Sequence, residues 1–282
     1  MMTVMLLTLT VLLTSCANKH EGRVIAVSIE PERALLEQIV GNRFAVKTLL
    51  PSGANPETFE PTIKTTREVN DAEAYFSLGA LPFEAKISSS LPASVAQANI
   101  TRGIAPIFGT HDHDGEEEHE GHHHGSADPH TWTSVKNARI MAKNMLDELV
   151  LLDPEGKEYY TNRYNKLDAH LDSLDHAFAE RLKKMSGKSF AVWHPSLSYF
   201  ARDYGLNQIS VGFENKEISP SRMASVAEHA REHNVRVLFF QKEYDSRQVS
   251  TLSNELGIKV ITINPLDYEW ERQLDNIVSE LQ

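Results

Sequence analysis

The sequence predicts an α/β protein of two βαβ-type lobes joined by a long rigid helix. Three observations carry that expectation. Short β-branched runs alternate with helical patterns near both ends of the chain, the signature of parallel sheets with crossover helices. An apolar stripe at three- and four-residue spacing runs through the middle. The alternation then restarts after that stripe, as a second lobe requires.

The elements follow in order. Arg23–Ile29 is a β-branched run typical of a buried strand. Pro31 stands where a first helical turn begins, and Leu35, Leu36, Ile39 and Val40 have helical spacing. Phe44–Leu50 reads as a strand stopped by Pro51-Ser52-Gly53, and Ala74–Gly79 as a third strand ending in a glycine turn. Val135, Ala138, Met141, Ala142, Met145, Leu149 and Leu152 mark a helix. A second helix is expected from Asp153-Pro154, with Asp as cap, to about Lys184. Its stripe is Tyr160, Tyr164, Leu167, Leu171, Leu174, Phe178 and Leu182. Roughly 30 helical residues span about 45 Å, enough to brace two lobes. Strands at 189–193, 208–213, 235–240 and 258–263 then alternate with helices at 195–204, 221–233, 246–256 and 270–281. The expected division is residues 1–15 as a signal peptide, 16–152 as the N-terminal lobe, 153–185 as the linking helix and 186–282 as the C-terminal lobe. A cleft lies between the lobes, where ligands of such sheets bind.

Composition narrows the function. The 282 residues are 41% hydrophobic and 24% charged, with 28 basic and 39 acidic side chains giving a net charge of −11. That is ordinary globular composition, and it supplies no basic stripe for nucleic acid. Cys16 is the sole cysteine, so neither a disulfide framework nor a cysteine metal cage is available. Met1–Thr14 is apolar and uncharged, too short to span a bilayer. It ends in Leu13-Thr14-Ser15-Cys16, similar to a bacterial lipobox, where cleavage precedes a lipid-carrying cysteine. Export signals usually carry a Lys or Arg before the apolar core, and this one does not.

Two regions are rich in metal-ligating chemistry. Loop 109–127 holds His111, His113, His119, His122, His123 and His124 among six acids, with no hydrophobic residue between 111 and 124. Such a run cannot offset its ordering entropy by burial. Clustered imidazoles suit weak, multi-site, exchangeable zinc binding. His130, in Asp128-Pro129-His130-Thr131-Trp132, and His194, in Val192-Trp193-His194-Pro195-Ser196, stand one in each predicted lobe at expected strand–helix junctions. Neutral imidazole is a common ligand of borderline metals, so a shared ion in the cleft is the natural use of the pair. Phe59, Trp132, Trp193 and Tyr199 flank these motifs, chiefly as packing. His170, His176, His229 and His233 fall on expected helix surfaces and are given no role. A metal-dependent hydrolase is the rival in another class, but the sequence has no His-Glu-x-x-His, Gly-x-Ser-x-Gly or phosphate loop.

Taken in order, the motifs resemble one family. They are the lipobox, Pro51-Ser-Gly-Ala-Asn-Pro-Glu-Thr-Phe-Glu-Pro61, Asp128-Pro-His130, the Asn162…Tyr164…Leu167…Leu171 pattern, the stretch Trp193–Leu206, and Asn264-Pro-Leu266. The chain resembles a zinc ABC-transporter substrate-binding lipoprotein (ZnuA-like), of a family that also includes manganese and iron binders. The resemblance implies an extracytoplasmic, lipid-anchored protein that is not an enzyme. Its ligand is Zn²⁺, with Mn²⁺ or Fe²⁺ as alternatives. Its partners are a membrane permease and, through Cys16, membrane lipid; no nucleic acid is involved, and a monomer is expected. A surface metal-buffering or adhesion lipoprotein is the alternative within the same chemistry. The resemblance implies four ligand positions, two per lobe. His130 and His194 match two. Glu57 stands where the family's Gly-x-x-Pro-His-x-x-Glu-Pro pattern has histidine, and Asn264 stands at the fourth, with Asp267 or Glu60 as substitutes. Because a carboxylate replaces one imidazole, the set is harder than three histidines and keeps Mn²⁺ or Fe²⁺ in play.

Overall fold

The chain is described here from a computed structural model, in residues 22–108, 127–185, 187–211, 220–244, 249 and 257–282. The expected signal segment, Cys16, all six histidines of the 109–127 loop and nearly all of the expected 246–256 helix lie outside these residues.

The first half contains β1 (Val24–Val27), α1 (Glu30–Val40), β2 (Ala45–Thr48), α2 (Ile63–Asn70), β3 (Ala74–Ser77), α3 (Pro82–Ser90) and β4 (Ala96–Asn99). Its four strands are parallel in the order β2-β1-β3-β4. The second half contains β5 (Ser189–Val192), α6 (Ser198–Tyr204), β6 (Asn207–Ser210), α7 (Pro220–Glu232), β7 (Val237–Gln241), β8 (Lys259–Ile263) and α8 (Trp270–Leu281). Its strands are also parallel, in the order β6-β5-β7-β8. Both sheets therefore reverse direction of winding beside their first strand, where α/β ligands bind.

Between the sheets lie α4 (Val135–Leu152) and α5 (Lys157–Leu182), the latter flanked by 3-10 turns at Pro154–Gly156 and Lys183–Met185. The 26 α-helical residues of α5 give about 39 Å. Its stripe is buried as the spacing predicts: Tyr160, Leu167, Leu171, Phe178 and Leu182 are each at most 3% exposed. One hydrophobic core runs without a break from Ile25, Leu36 and Phe76 through Leu149 and Leu171 to Phe190, Phe239 and Ile277. A second, smaller core covers the other face of the C-terminal sheet. Alternation along β5 and β7 divides the two: Phe190, Val192, Val237 and Phe239 face the shared core, while Ala191, Trp193, Leu238 and Phe240 face the smaller one.

Two local expectations are corrected. Asp153 does not cap a helix with its side chain. Its carboxylate instead receives Arg43 at 2.7 Å, Arg23 at 3.4 Å and the Tyr160 hydroxyl. Ion pairing to two guanidinium groups outcompetes a single backbone amide. His130 does not follow a strand. Ala127 makes one isolated antiparallel bridge to Phe108, and a 3-10 turn, Thr131–Thr133, intervenes before α4.

Candidate metal centre

Three side chains far apart in sequence meet at the seam between the lobes. One ligand atom from each of Glu57, His130 and His194 lies within 4.8 Å of the others, and no other such cluster of His, Cys, Asp or Glu occurs among the described residues. The imidazole centroids of His130 and His194 are 5.1 Å apart at 69°. Both histidines are buried, at 5% and 7% exposure.

His130 is held from behind. Its backbone amide and its Nδ1 both reach Asp128 Oδ1, at 2.9 and 2.7 Å. A carboxylate only accepts, so Nδ1 is the donor, and in the neutral ring the lone pair then lies on Nε2. The Asp128 amide donates to Ile107 O, the Tyr199 hydroxyl donates to Asp128 O, and the Thr133 hydroxyl donates to His130 O. Trp132 Nε1 donates to Pro265 O, tying this segment to the turn after β8. Burial pushes the Asp128 carboxyl up, but the hydrogen bond and charge of His130 outweigh it and hold the group below its ordinary value.

His194 follows β5, beside the end of β7. The fully buried Gln241 clamps it: the His194 amide donates to Gln241 Oε1, and Gln241 Nε2 donates to His194 O and Ser196 Oγ, at 3.1, 2.7 and 2.6 Å. The Tyr244 ring stacks on the His194 ring at 5.1 Å and 20°. Nε2 of His194 lies 3.1 Å from Glu57 Oε1, yet it is buried without a directed hydrogen bond. Two ligand atoms thus face one space and do not satisfy each other, an arrangement suited to a shared cation.

Glu57 comes from the loop between β2 and α2. Asn55 Oδ1 accepts from the Glu57 amide at 2.8 Å, turning the chain so that the carboxylate enters the cleft. Burial opposes ionisation of Glu57, but His194 and then His130 overcome it and hold the carboxyl below its ordinary value.

The remaining predicted positions have hydrogen-bond or ion-pair partners of their own. Glu60 is exposed and pairs with Lys86 at 2.6 Å. Asn264 Nδ2 donates to Asp267 Oδ2 at 3.1 Å, and Asp267 Oδ1 accepts from the Glu269 amide. The flanking aromatic residues pack as expected: Phe59 on Phe83 and Trp193 on Phe240. Sequence reading missed Gln241 and Tyr244. They share no motif with the histidines and become neighbours of the site only because β7 pairs with β5.

A family model described as "Zinc-uptake complex component A periplasmic" (ZnuA) matches residues 25–278. The chain belongs to this family. It is 30% identical to the high-affinity zinc uptake system protein ZnuA of Bacillus subtilis (strain 168), covering 90% of this chain and 81% of that protein. It is 28% identical to the zinc-binding lipoprotein AdcA of Streptococcus pneumoniae (strain ATCC BAA-255 / R6), covering 90% of this chain. The chain spans only 53% of the length of that relative. Among solved structures, a crystal structure of ZnuA superposes with a TM-score of 0.82 at 28% identity, covering 93% of this chain and 98% of that one. A zinc-bound ZnuA deletion mutant gives 0.80 at 28%, covering 93% and 97%.

Proposed function

We propose that this chain is an extracytoplasmic substrate-binding protein that captures a divalent metal, zinc foremost, between its lobes and delivers it to an ABC-transporter permease for uptake. The observation that carries the reading is the convergence of Glu57, His130 and His194 on one space at the seam. Membership of the zinc-uptake family supports it, as do relatives named for zinc uptake and zinc binding.

In this reading the unprotonated Nε2 atoms of the two histidines and the Glu57 carboxylate bind the ion. Asp128 fixes the His130 tautomer, and the Gln241 clamp with Tyr244 fixes His194. Asn264, through its amide oxygen, is the fourth donor that the family pattern offers, and a weak one. The six histidines at 111–124 would collect zinc weakly beside the cleft, since a loop that must be ordered binds less tightly than a preformed site. Cys16 would carry the lipid that holds the protein at a membrane; among the described residues no helix is long and apolar enough to cross one. The carboxylate in the ligand set keeps Mn²⁺ and Fe²⁺ as competitors.

The test is calorimetric titration with Zn²⁺, repeated with Mn²⁺ competing, on the parent protein and on His130→Ala/His194→Ala. The double variant should lose far more than the roughly 10- to 100-fold that an outer-sphere partner costs. Parent-like affinity in the double variant would refute the site.

A further inference from the structure

The C-terminal end of α7 carries two histidines that the cleft does not use. His229 and His233 stand four residues apart in His229-Ala-Arg-Glu-His233. The His233 amide donates to His229 O at 3.1 Å, so the helical turn continues past Glu232 to His233. Side chains four apart on a helix lie on one face. The two rings accordingly meet, with centroids 4.4 Å apart at 61°. Both residues are exposed, while Val226, Ala227 and Ala230 bury the inner face of the helix in the smaller core. The pair therefore faces solvent, and its rings can turn without disturbing that core.

Three features suit the pair to a metal ion. Neutral imidazole is a common ligand of borderline divalent metals, and two of them one helical turn apart can hold one ion between them. Negative charge stands beside them: Glu232 Oε2 is 3.9 Å from His229 Nδ1, and Glu228 is exposed on the same turn. Arg231 is the nearby cation, but it is two residues from each histidine and so does not share their face. The free carbonyls of a helix C-terminus add a partial negative charge that favours a cation. The pair is also well separated from the cleft. The chain leaves α7 to enter β7 at Val237, whereas Gln241, which holds His194, ends that strand. The 5 residues of β7 span about 13 Å.

From this geometry we infer that His229 and His233 form a second metal-binding site, a surface chelate for an imidazole-preferring divalent cation such as Cu²⁺ or Zn²⁺. It is independent of the cleft, and each can fail without the other. Because the pair contributes nitrogen donors, Cu²⁺ should bind far more tightly than Mn²⁺.

The test is nuclear magnetic resonance of the full-length protein labelled at histidine, with Zn²⁺ supplied first to fill the cleft and free Cu²⁺ then set by a glycine buffer. Bound Cu²⁺ broadens the resonances of its own ligands, so each histidine reports separately. His229→Gln and His233→Gln assign the pair, and unchanged resonances of the other histidines show that each variant is folded. His176, exposed and without a histidine one turn away, is the single-imidazole reference. His229 and His233 should broaden together at about 100-fold lower free Cu²⁺ than His176, the gain expected when the second contact is intramolecular. In either variant the remaining histidine should fall back to the His176 range. A remaining histidine that keeps the parent response would overturn the inference, as would a pair that responds no earlier than His176. Mn²⁺ should give no early broadening of the pair; if it did, the carboxylates of Glu228 and Glu232 would be the ligands and the imidazole chelate would be refuted.

Discussion

At the scale of single residues, the site depends on what stands behind the ligands. Asp128 is half-buried, accepts from His130 twice, and has its carboxyl held below its ordinary value by it. Asp128→Asn keeps an acceptor but loses the charge that favours the Nδ1–H tautomer. Zinc affinity should fall by about tenfold or more, the range for outer-sphere partners of metal-bound histidine. Chelator competition measures it, and an unchanged affinity would mean that Asp128 only positions backbone. His130 and His194 were legible because each sits in a short motif beside Pro and aromatic residues. Glu57 was legible only by its place in a longer pattern. Gln241 and Tyr244 were not legible, since strand pairing, a non-local event, brings them to His194.

At the scale of elements, α5 is the brace. It packs on α1 and α4 in one direction and on α6 and α8 in the other. Arg139 on α4 holds Asp168 and Asp172 on α5, at 2.7 and 2.5 Å. The start of the brace is pinned by Asp153 between Arg43, Arg23 and Tyr160. Burial raises the Asp153 carboxyl, but the hydrogen bonds of Tyr160 and Arg43 and the charges of Arg43 and Arg23 bring it below its ordinary value. A depressed carboxyl stabilises the fold above the unfolded pKa of about 4, and that contribution is lost as pH falls toward the folded value. Asp153→Ala should therefore cost about 2 kcal/mol near neutrality. The cost should shrink in thermal melts taken progressively below pH 4. A cost that did not vary with pH would assign the effect to packing alone. Long periodic elements such as α1, α4 and α5 were legible because their buried faces repeat. The sequence reading did not find α2, α3 or β4. Only Val69 of α2 is buried, α3 buries little beyond Phe83, Glu84 and Ile87, and β4 is a polar edge strand with Ala98 alone inside.

At the scale of the whole molecule, the two lobes share one core, and the cleft is bridged outside the site as well. Trp132 reaches Pro265, and the Tyr268 hydroxyl donates to Glu37 at 2.7 Å while Arg33 lies over the Tyr268 ring. Opening the lobes widely would expose that core, at about 25 cal/mol for each Å² of apolar surface. Metal capture should therefore proceed by small tilts and side-chain settling. A parallel sheet in each half was expected from the repeated alternation in the sequence. The continuity of the core across them was not, because composition does not say which faces meet. The most direct measurement is an anomalous difference map at the zinc absorption edge from crystals of the zinc-loaded protein. A single strong peak should lie about 2.0–2.2 Å from Glu57 oxygen and from a ring nitrogen of both His130 and His194, with the lobes oriented nearly as they are here. A peak bound elsewhere, with those three side chains still apart from it, would contradict the account.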